Sequence, residues 1–367
     1  MLKTKMGSVT RFSGTLKMVS VMMFSGTLLL GCSPASENTG SEGANSESAN
    51  SGEVNLYSSR NEGLIKPLLD EFTAETGIQV NLLTGSGSGL LSRLQSEGAN
   101  TPADLFLTVD AGSLHRAKEA DLFQPVTSAT LNDAIPDHLR DSDRHWYGLS
   151  MRARPVFYSL ERVNPEEITD YLSLADEKWR GRICVRSSDN IYNQSMVAAM
   201  IAHHGEAATE EWARGLVANF ARNPVGGDRD QIHAVASGQC DIAIANTYYF
   251  GGMSLSDDAT NQDTVSKVAI AWPAQDTTGV HVNVSGIGLL KNASNEENAL
   301  RLIEFLAQTS SQTWYAEANS EYPVNPAAPW SETLESWGEF TADDISMSVL
   351  GENNAIAVRL MDRAGWR

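Results

Sequence analysis

The segment "NTYYF", residues 246–250, follows the apolar run "DIAIA" and sets two phenols side by side, Tyr248 and Tyr249. Neighbouring side chains of a strand point to opposite faces, so a regular strand cannot aim both at one target. On a turn just past the strand, both oxygens are free to converge on one ion. Phenol ionises near pH 10 and is a weak ligand while neutral. A hard trivalent cation changes this, because its charge favours phenolate much as metals deprotonate thiols and water. A third phenol, Tyr192, lies in "SSDNIYNQS" after another expected strand. Three such groups form an oxygen donor set for Fe3+. The competing uses of each ring are core packing with a hydrogen-bonded hydroxyl and stacking on an organic ligand.

Other polar residues fall at expected strand ends. "YSSRNEG" supplies Ser58, Ser59, Arg60, Asn61 and Glu62, and "LTVDAG" supplies Asp110. "SSDNIYNQS" adds Asp189, Asn190 and Asn193, and "GGDRDQ" adds Asp228 and Asp230. Asp110 before "AGSL" reads first as a helix N-cap. Small residues in "TGSGSGLL" (84–91) open a helix whose free N–H groups favour an anion, with Arg60 as a possible partner; a plain turn is the simpler reading. Arg152 and Arg154 flank an extended segment and are expected to pair with cleft carboxylates. His203 and His204 suit a helix C-terminus. No Ser-His-Asp spacing, Walker loop or HExxH motif is present, so nothing in the chain points to catalysis.

The elements that must carry these residues alternate. "EVNLYSS", "IQVNLLTG" and "ADLFLTVD" read as strands, each followed by a helical pattern such as "GLIKPLLDEFTAETG". The alternation returns in "RICVRSS", "IYNQSMVAAMIAHHG", "DQIHAVASGQ" and "DIAIANT". This predicts two α/β lobes with largely parallel sheets. The extended segments 147–163 and 279–294 pass between them and predict a hinge, with strand ends facing each other across a cleft. Lobe 1 is expected over 54–150 and 280–329, and lobe 2 over 151–279 and 330–367.

The N-terminus reads as an export signal. Lys3, Lys5, Arg11 and Lys17 precede the apolar "MVSVMMFSGTLLLG", which is too short for an ordinary membrane span. It ends in "LLGC", which reads as a lipoprotein signal over 1–31 with Cys32 lipidated; a plain secretory signal with an incidental cysteine is the alternative. Residues 32–53 are rich in Ser, Asn, Gly and Glu and predict a flexible tether. Removal of residues 1–31 takes four cations and no acid, carrying the net charge from −19 to −23. Such a surface repels nucleic acid and anionic lipid. Cys184 and Cys240 are the remaining cysteines; in an oxidising compartment they form either a disulfide or two buried thiols.

From about Val54 to its end, the chain resembles the ferric-iron-binding proteins of bacterial and cyanobacterial ABC importers. The segments that carry the resemblance are "PADLFLTVDAG", "GLSMRARP", "GRICVRSSDNIYNQS", "MIAHHGEAA", "DIAIANTYY", "HVNVSG" and "GENNAIAVRLMDRAGW". The resemblance implies the two-lobed α/β fold of type 2 periplasmic-binding proteins, with a hinge and an interlobe cleft. It implies that Fe3+ is carried outside the cytoplasm and handed to a permease with an ATPase, and a monomer is expected. It also implies Tyr192, Tyr248 and Tyr249 as iron ligands. The family places His-Tyr after "SSR", and both serve as ligands. Here Asn61 and Glu62 stand instead. Glu62 remains a hard anionic oxygen donor, while a water, a synergistic anion near Arg60, or Asn61 would complete the shell; otherwise the pair is a solvated turn with Glu62 at a helix N-terminus, and the first lobe has no share in the site. The alternatives are the same fold holding an anion or small organic acid, and an extracytoplasmic sensor.

Overall fold

The structure, a computed structural model, describes residues 52–367. Cys32, the expected signal 1–31 and the expected tether up to residue 51 lie outside the described residues. The first part alternates β1 (Glu53–Ser58), α1 (Lys66–Thr76), β2 (Gln79–Thr84), α2 (Gly87–Glu97), β3 (Leu105–Thr108), α3 (Ala111–Glu119) and α4 (Ala129–Ala134). Local chemistry sets these boundaries. Ser86 caps α2 by accepting from Gly89 N at 3.2 Å, so the Ser-Gly loop opens a helix. Asp110 caps α3, accepting from Ser113 N at 2.9 Å, as its position predicts.

The chain then crosses through β4 (Tyr147–Ala153) and β5 (Val156–Ser159) into a second group of elements. These are β6 (Ile183–Cys184), α5 (Ile191–His204), α6 (Glu206–Ala218), α7 (Asp228–Ala236), β7 (Ile242–Ile244), α8 (Thr247–Ser254), α9 (Ala259–Val265) and β8 (Val268–Ala271). Strand β9 (Val282–Leu289) returns to the first lobe. Helices α10 (Glu296–Ala307), α11 (Thr309–Asn319), α12 (Glu332–Glu335), α13 (Met347–Glu352) and α14 (Asn354–Ala364) complete the chain.

Two sheets form, in the orders β2-β1-β3-β9-β4 and β6-β7-β5-β8. They are mixed rather than largely parallel. Strands β1, β2 and β3 are parallel, but β9 runs antiparallel to β3 and β4, and β5 runs antiparallel to β7 and β8. The reason is the traffic between lobes: β4 leaves the first sheet as β9 re-enters it, so neighbouring strands carry the chain in opposite directions. Leu56, Phe106 and Leu107 lie in the first apolar core, and Ile183, Ile242 and Ile244 in another. The closing stretch 330–367 is shared. Leu334, Met347 and Leu350 pack into the first core, while Leu360, Met361 and Trp366 pack into the second.

The crossing strands are pinned together. Arg154 N donates to His281 O at 2.9 Å. The Tyr171 hydroxyl donates to Arg154 O at 2.8 Å and accepts from His281 N at 3.1 Å. His281 is buried, and neither ring nitrogen has a hydrogen-bond partner among the described residues. Burial, then the charges of Arg154, His203 and Arg152, lowers its pKa to about 3. The unfolded chain, titrating near 6.5, takes up this proton first. The associated stability is therefore full above about pH 6.5 and falls as pH drops toward 3, by about 1.4 kcal/mol per unit. Chemical denaturation at pH 7 and pH 5 should differ by about 2 kcal/mol from this residue. An equal difference in His281→Asn would remove the assignment.

Cys184 and Cys240 form a disulfide, with Cα atoms 5.9 Å apart and both residues buried. It ties β6 to the entry of β7. Its reduction should cost roughly 2–4 kcal/mol of stability, read as a lower melting temperature in dithiothreitol; an unchanged melting temperature would exclude a stabilising role.

Candidate metal centre

Tyr192 is the second residue of α5, and Tyr248 and Tyr249 lie in the first turn of α8. The tandem tyrosines thus sit on a helix that starts three residues after β7 ends, rather than on a free turn. At 100° per residue, neighbouring side chains on a helix diverge less than the opposed neighbours of a strand. The Tyr248 and Tyr249 rings are 4.2 Å apart between centroids. The Tyr248 hydroxyl donates to the Tyr192 hydroxyl at 3.3 Å. Two helix N-termini therefore converge here, and their positive ends favour an anionic oxygen.

A buried ionic lattice holds the two helix tips. Asp228, at the start of α7, accepts from Arg154 Nη1 at 3.1 Å, from Arg186 Nη1 at 3.4 Å and from Asn246 N at 2.8 Å. Arg154 also donates to Asn246 Oδ1 at 2.8 Å and to Asn193 Oδ1 at 2.5 Å. Asn246 precedes α8 and Asn193 follows Tyr192, so one Arg-Asp pair registers both tyrosine-bearing segments. Gly251 adds a tight approach. A Cβ there would stand 2.3 Å from Ser320 Cβ, so only glycine lets α8 lie this close to the chain beyond α11.

Burial raises the Tyr248 pKa well above the usual phenol value, and neighbouring Tyr192 and Tyr249 raise it further, against Arg152. Burial also raises that of Tyr249, with Tyr192 and Asp228 adding to it. Both phenols stay protonated at neutral pH without a cation to replace the proton. Arg152 is buried, and its Cζ lies 5.6 Å from the centre of the Tyr192 ring. Its Nη1 donates to Ser285 Oγ at 2.9 Å, while Nε and Nη2 have no partner among the described residues. It does not pair with a carboxylate; the expected pairing holds for Arg154 alone.

Across the cleft, residues 60–62 have separate roles. Arg60 is buried and ion-paired with Glu321, and it donates to Ser285 Oγ at 2.8 Å and Leu64 O at 3.0 Å. Glu321 thus supplies the matching charge. Asn61 accepts from Gly63 N at 3.0 Å and caps the 3-10 turn Glu62–Leu64. Glu62 is exposed, and its carboxylate has no hydrogen-bond or ion-pair partner among the described residues. The structure brings the three tyrosines together, with no hydrogen bond between them and Glu62 among the described residues. The cleft is also spanned directly: Ser195 Oγ, on α5, donates to Asp110 Oδ2 at 2.6 Å.

Glu321 and Arg186 were not among the residues singled out by sequence. The visible signal for Arg186 is a cation at the end of the short apolar "ICV"; for Glu321 there is none, since 261 residues separate it from Arg60. His203 pairs with Asp343 at 2.9 Å, away from the tyrosines. A separate group, Asp141, Asp143 and His145, already has the Lys118 ammonium at 2.8 and 2.7 Å from its two carboxylates.

Residues 68–342 match the family model described as bacterial extracellular solute-binding protein. The chain is 47% identical to iron uptake protein A1 of Synechocystis over 86% of its length and 88% of the relative's. It is 27% identical to the major ferric iron-binding protein of Neisseria meningitidis, covering 86% and 93% of the two chains. Among solved structures, the Trichodesmium IdiA (FutA) protein in complex with iron and citrate ligands superposes with a TM-score of 0.83. The identity is 47%, with 86% of this chain and 100% of that one covered.

Proposed function

Because the chain belongs to the bacterial extracellular solute-binding protein family, we propose that it is the binding component of an ABC importer for ferric iron. In this reading it captures Fe3+ between its lobes outside the cytoplasm and delivers it to a permease driven by an ATPase. The observation that carries the proposal is the convergence of Tyr192, Tyr248 and Tyr249 at two helix tips. Three phenolates balance the charge of Fe3+, and the hardness of the oxygen donors matches that of the cation. The metal supplies the field that displaces phenolic protons; the positive helix tips and Arg152 favour the phenolate oxygens that form.

Glu62 is the carboxylate proposed to join them from the first lobe, because it is exposed and uncommitted. Asn61 is committed to its cap. For a companion anion, Arg152 is better suited than Arg60, since two of its donors lack partners among the described residues. Lipid attachment at Cys32 would hold the protein at an extracytoplasmic membrane face as a monomer, with no catalytic step of its own. Among the described residues no helix is long and apolar enough to cross a membrane.

The test is a titration of chelator-stripped protein with Fe3+, followed in the visible range. Bound iron-phenolate should produce a charge-transfer band with saturation at one equivalent. No band, and no iron retained against a weak chelator, would remove the ferric reading. Glu62→Ala should weaken retention by about tenfold or more, the scale of changes around a metal site. Equal retention would leave the first lobe without a protein ligand.

A further inference from the structure

Between Arg301 and Arg359 the chain has no Lys or Arg, but it has nine carboxylates. Several are matched: Glu321 by Arg60, Glu304 by Ser128 and Asp343 by His203. Glu335 and Glu339 are exposed, and their carboxylates have no partner among the described residues. Together with Trp330, Gly338 and Phe340 they line a surface cavity of about 590 Å³. That size suits a small molecule.

The aromatic side of this cavity is held rigidly from behind. Phe340 stacks on Trp272 with centroids 4.3 Å apart and planes at 15°, and lies 6.2 Å from the Trp330 ring at 29°. Tyr322, fully buried, meets both edge-on at 4.9 and 5.1 Å. Trp272 follows β8, whereas Tyr322 pairs with Met151 of β4. The stack therefore joins segments of both lobes. Trp330 and Phe340 are only partly buried, leaving ring surface open to the cavity. Gly338 has a φ of 79°, and a Cβ there would meet nothing, so the mouth stays unobstructed.

Aromatic ring faces carry negative quadrupole density, and the two lining glutamates add full negative charge. This combination selects an organic cation. It disfavours an anion, which the carboxylates repel. It also disfavours a hydrated inorganic ion, because only two of the five lining residues are oxygen donors and the rest offer apolar surface. An ammonium wrapped in methyl or alkyl groups satisfies both halves, resting its apolar body on the rings and its charge near the carboxylates. We propose that the Trp330–Phe340 cavity binds a small quaternary or methylated ammonium compound, at a site separate from the tyrosine centre.

Calorimetry with tetramethylammonium chloride tests this, with sodium chloride at equal ionic strength as the baseline. Saturable binding is expected in the parent protein. It should weaken at least tenfold in Glu335→Gln/Glu339→Gln and in Trp330→Ala. The glutamates are exposed, so the first variant is expected to fold as the parent does, and its iron charge-transfer band should be unchanged. Heat no greater than with sodium chloride, or equal binding in the glutamate variant, would overturn the proposal. Saturation with guanidinium but not tetramethylammonium would also overturn it, pointing instead to an arginine of a protein partner.

Discussion

Iron added to the double variant Tyr248→Phe/Tyr249→Phe is expected to leave the protein colourless and unable to hold the metal against a weak chelator. The substitution removes two oxygens and keeps the rings. The 4.2 Å ring pair and the packing around Phe250 should therefore survive. What is lost is the charge that balances Fe3+. Outer-shell changes alone cost about 10–100-fold in metal affinity, and two direct donors should cost more than about a thousandfold, or ~4 kcal/mol. Two measurements separate chemistry from folding: the charge-transfer band should vanish while the melting temperature of the iron-free protein stays within a few degrees. If the double variant keeps both the band and the iron, the tyrosine centre is wrong. Tyr192→Phe provides a graded control, because its hydroxyl receives the Tyr248 hydrogen bond and its loss leaves the tandem pair intact.

Asp228→Ala is expected to produce the largest loss of fold stability among the substitutions considered. The carboxylate is fully buried and serves three donors, Arg154, Arg186 and the Asn246 backbone. Removing it strands the Arg154 guanidinium in the interior. Breaking a buried pair from one side costs about 3–5 kcal/mol, because the remaining charge keeps its desolvation penalty. Denaturant unfolding should show a shifted midpoint of that size. Iron retention should fall as well, since Arg154 registers Asn193 beside Tyr192 and Asn246 at the start of the helix that carries Tyr248. Asp228→Asn keeps the shape and removes the charge, so its charge-transfer band should shift in position while much of the fold persists. A stability change below about 1 kcal/mol in Asp228→Ala would place the pair among the weak surface ion pairs and remove it as the anchor of the two helices.

Much of this architecture was legible in the chain. The alternation of apolar strands with helical patterns marked both lobes, because each element must bury one face and its spacing shows which. Asp110 as a cap was legible because capping is local, needing only a polar side chain before a helix. The tandem tyrosines were legible for a similar reason: two phenols at the end of an apolar run have no good place inside the strand. The mixed direction of the sheets was not legible. Periodicity reports burial along one segment and says nothing about which way its neighbour runs. Nor was the sharing of the last 38 residues between two cores, since Leu334 and Leu360 carry the same apolar signal.

By itself, the sequence determined the donor chemistry: which side chains carry oxygen, that three are phenols, and that residues 61 and 62 offer an amide and a carboxylate. Tertiary structure alone decided which of them meet. It set Tyr192 against Tyr248 across 56 residues, matched Arg60 with Glu321 across 261, and left two Arg152 donors without partners among the described residues. The reason is physical. Residue identity fixes what a group can bind, but the partner of a buried charge is chosen by whichever distant segment the closing chain brings within hydrogen-bond reach. At this site that choice neutralised one arginine and left another open beside the phenols.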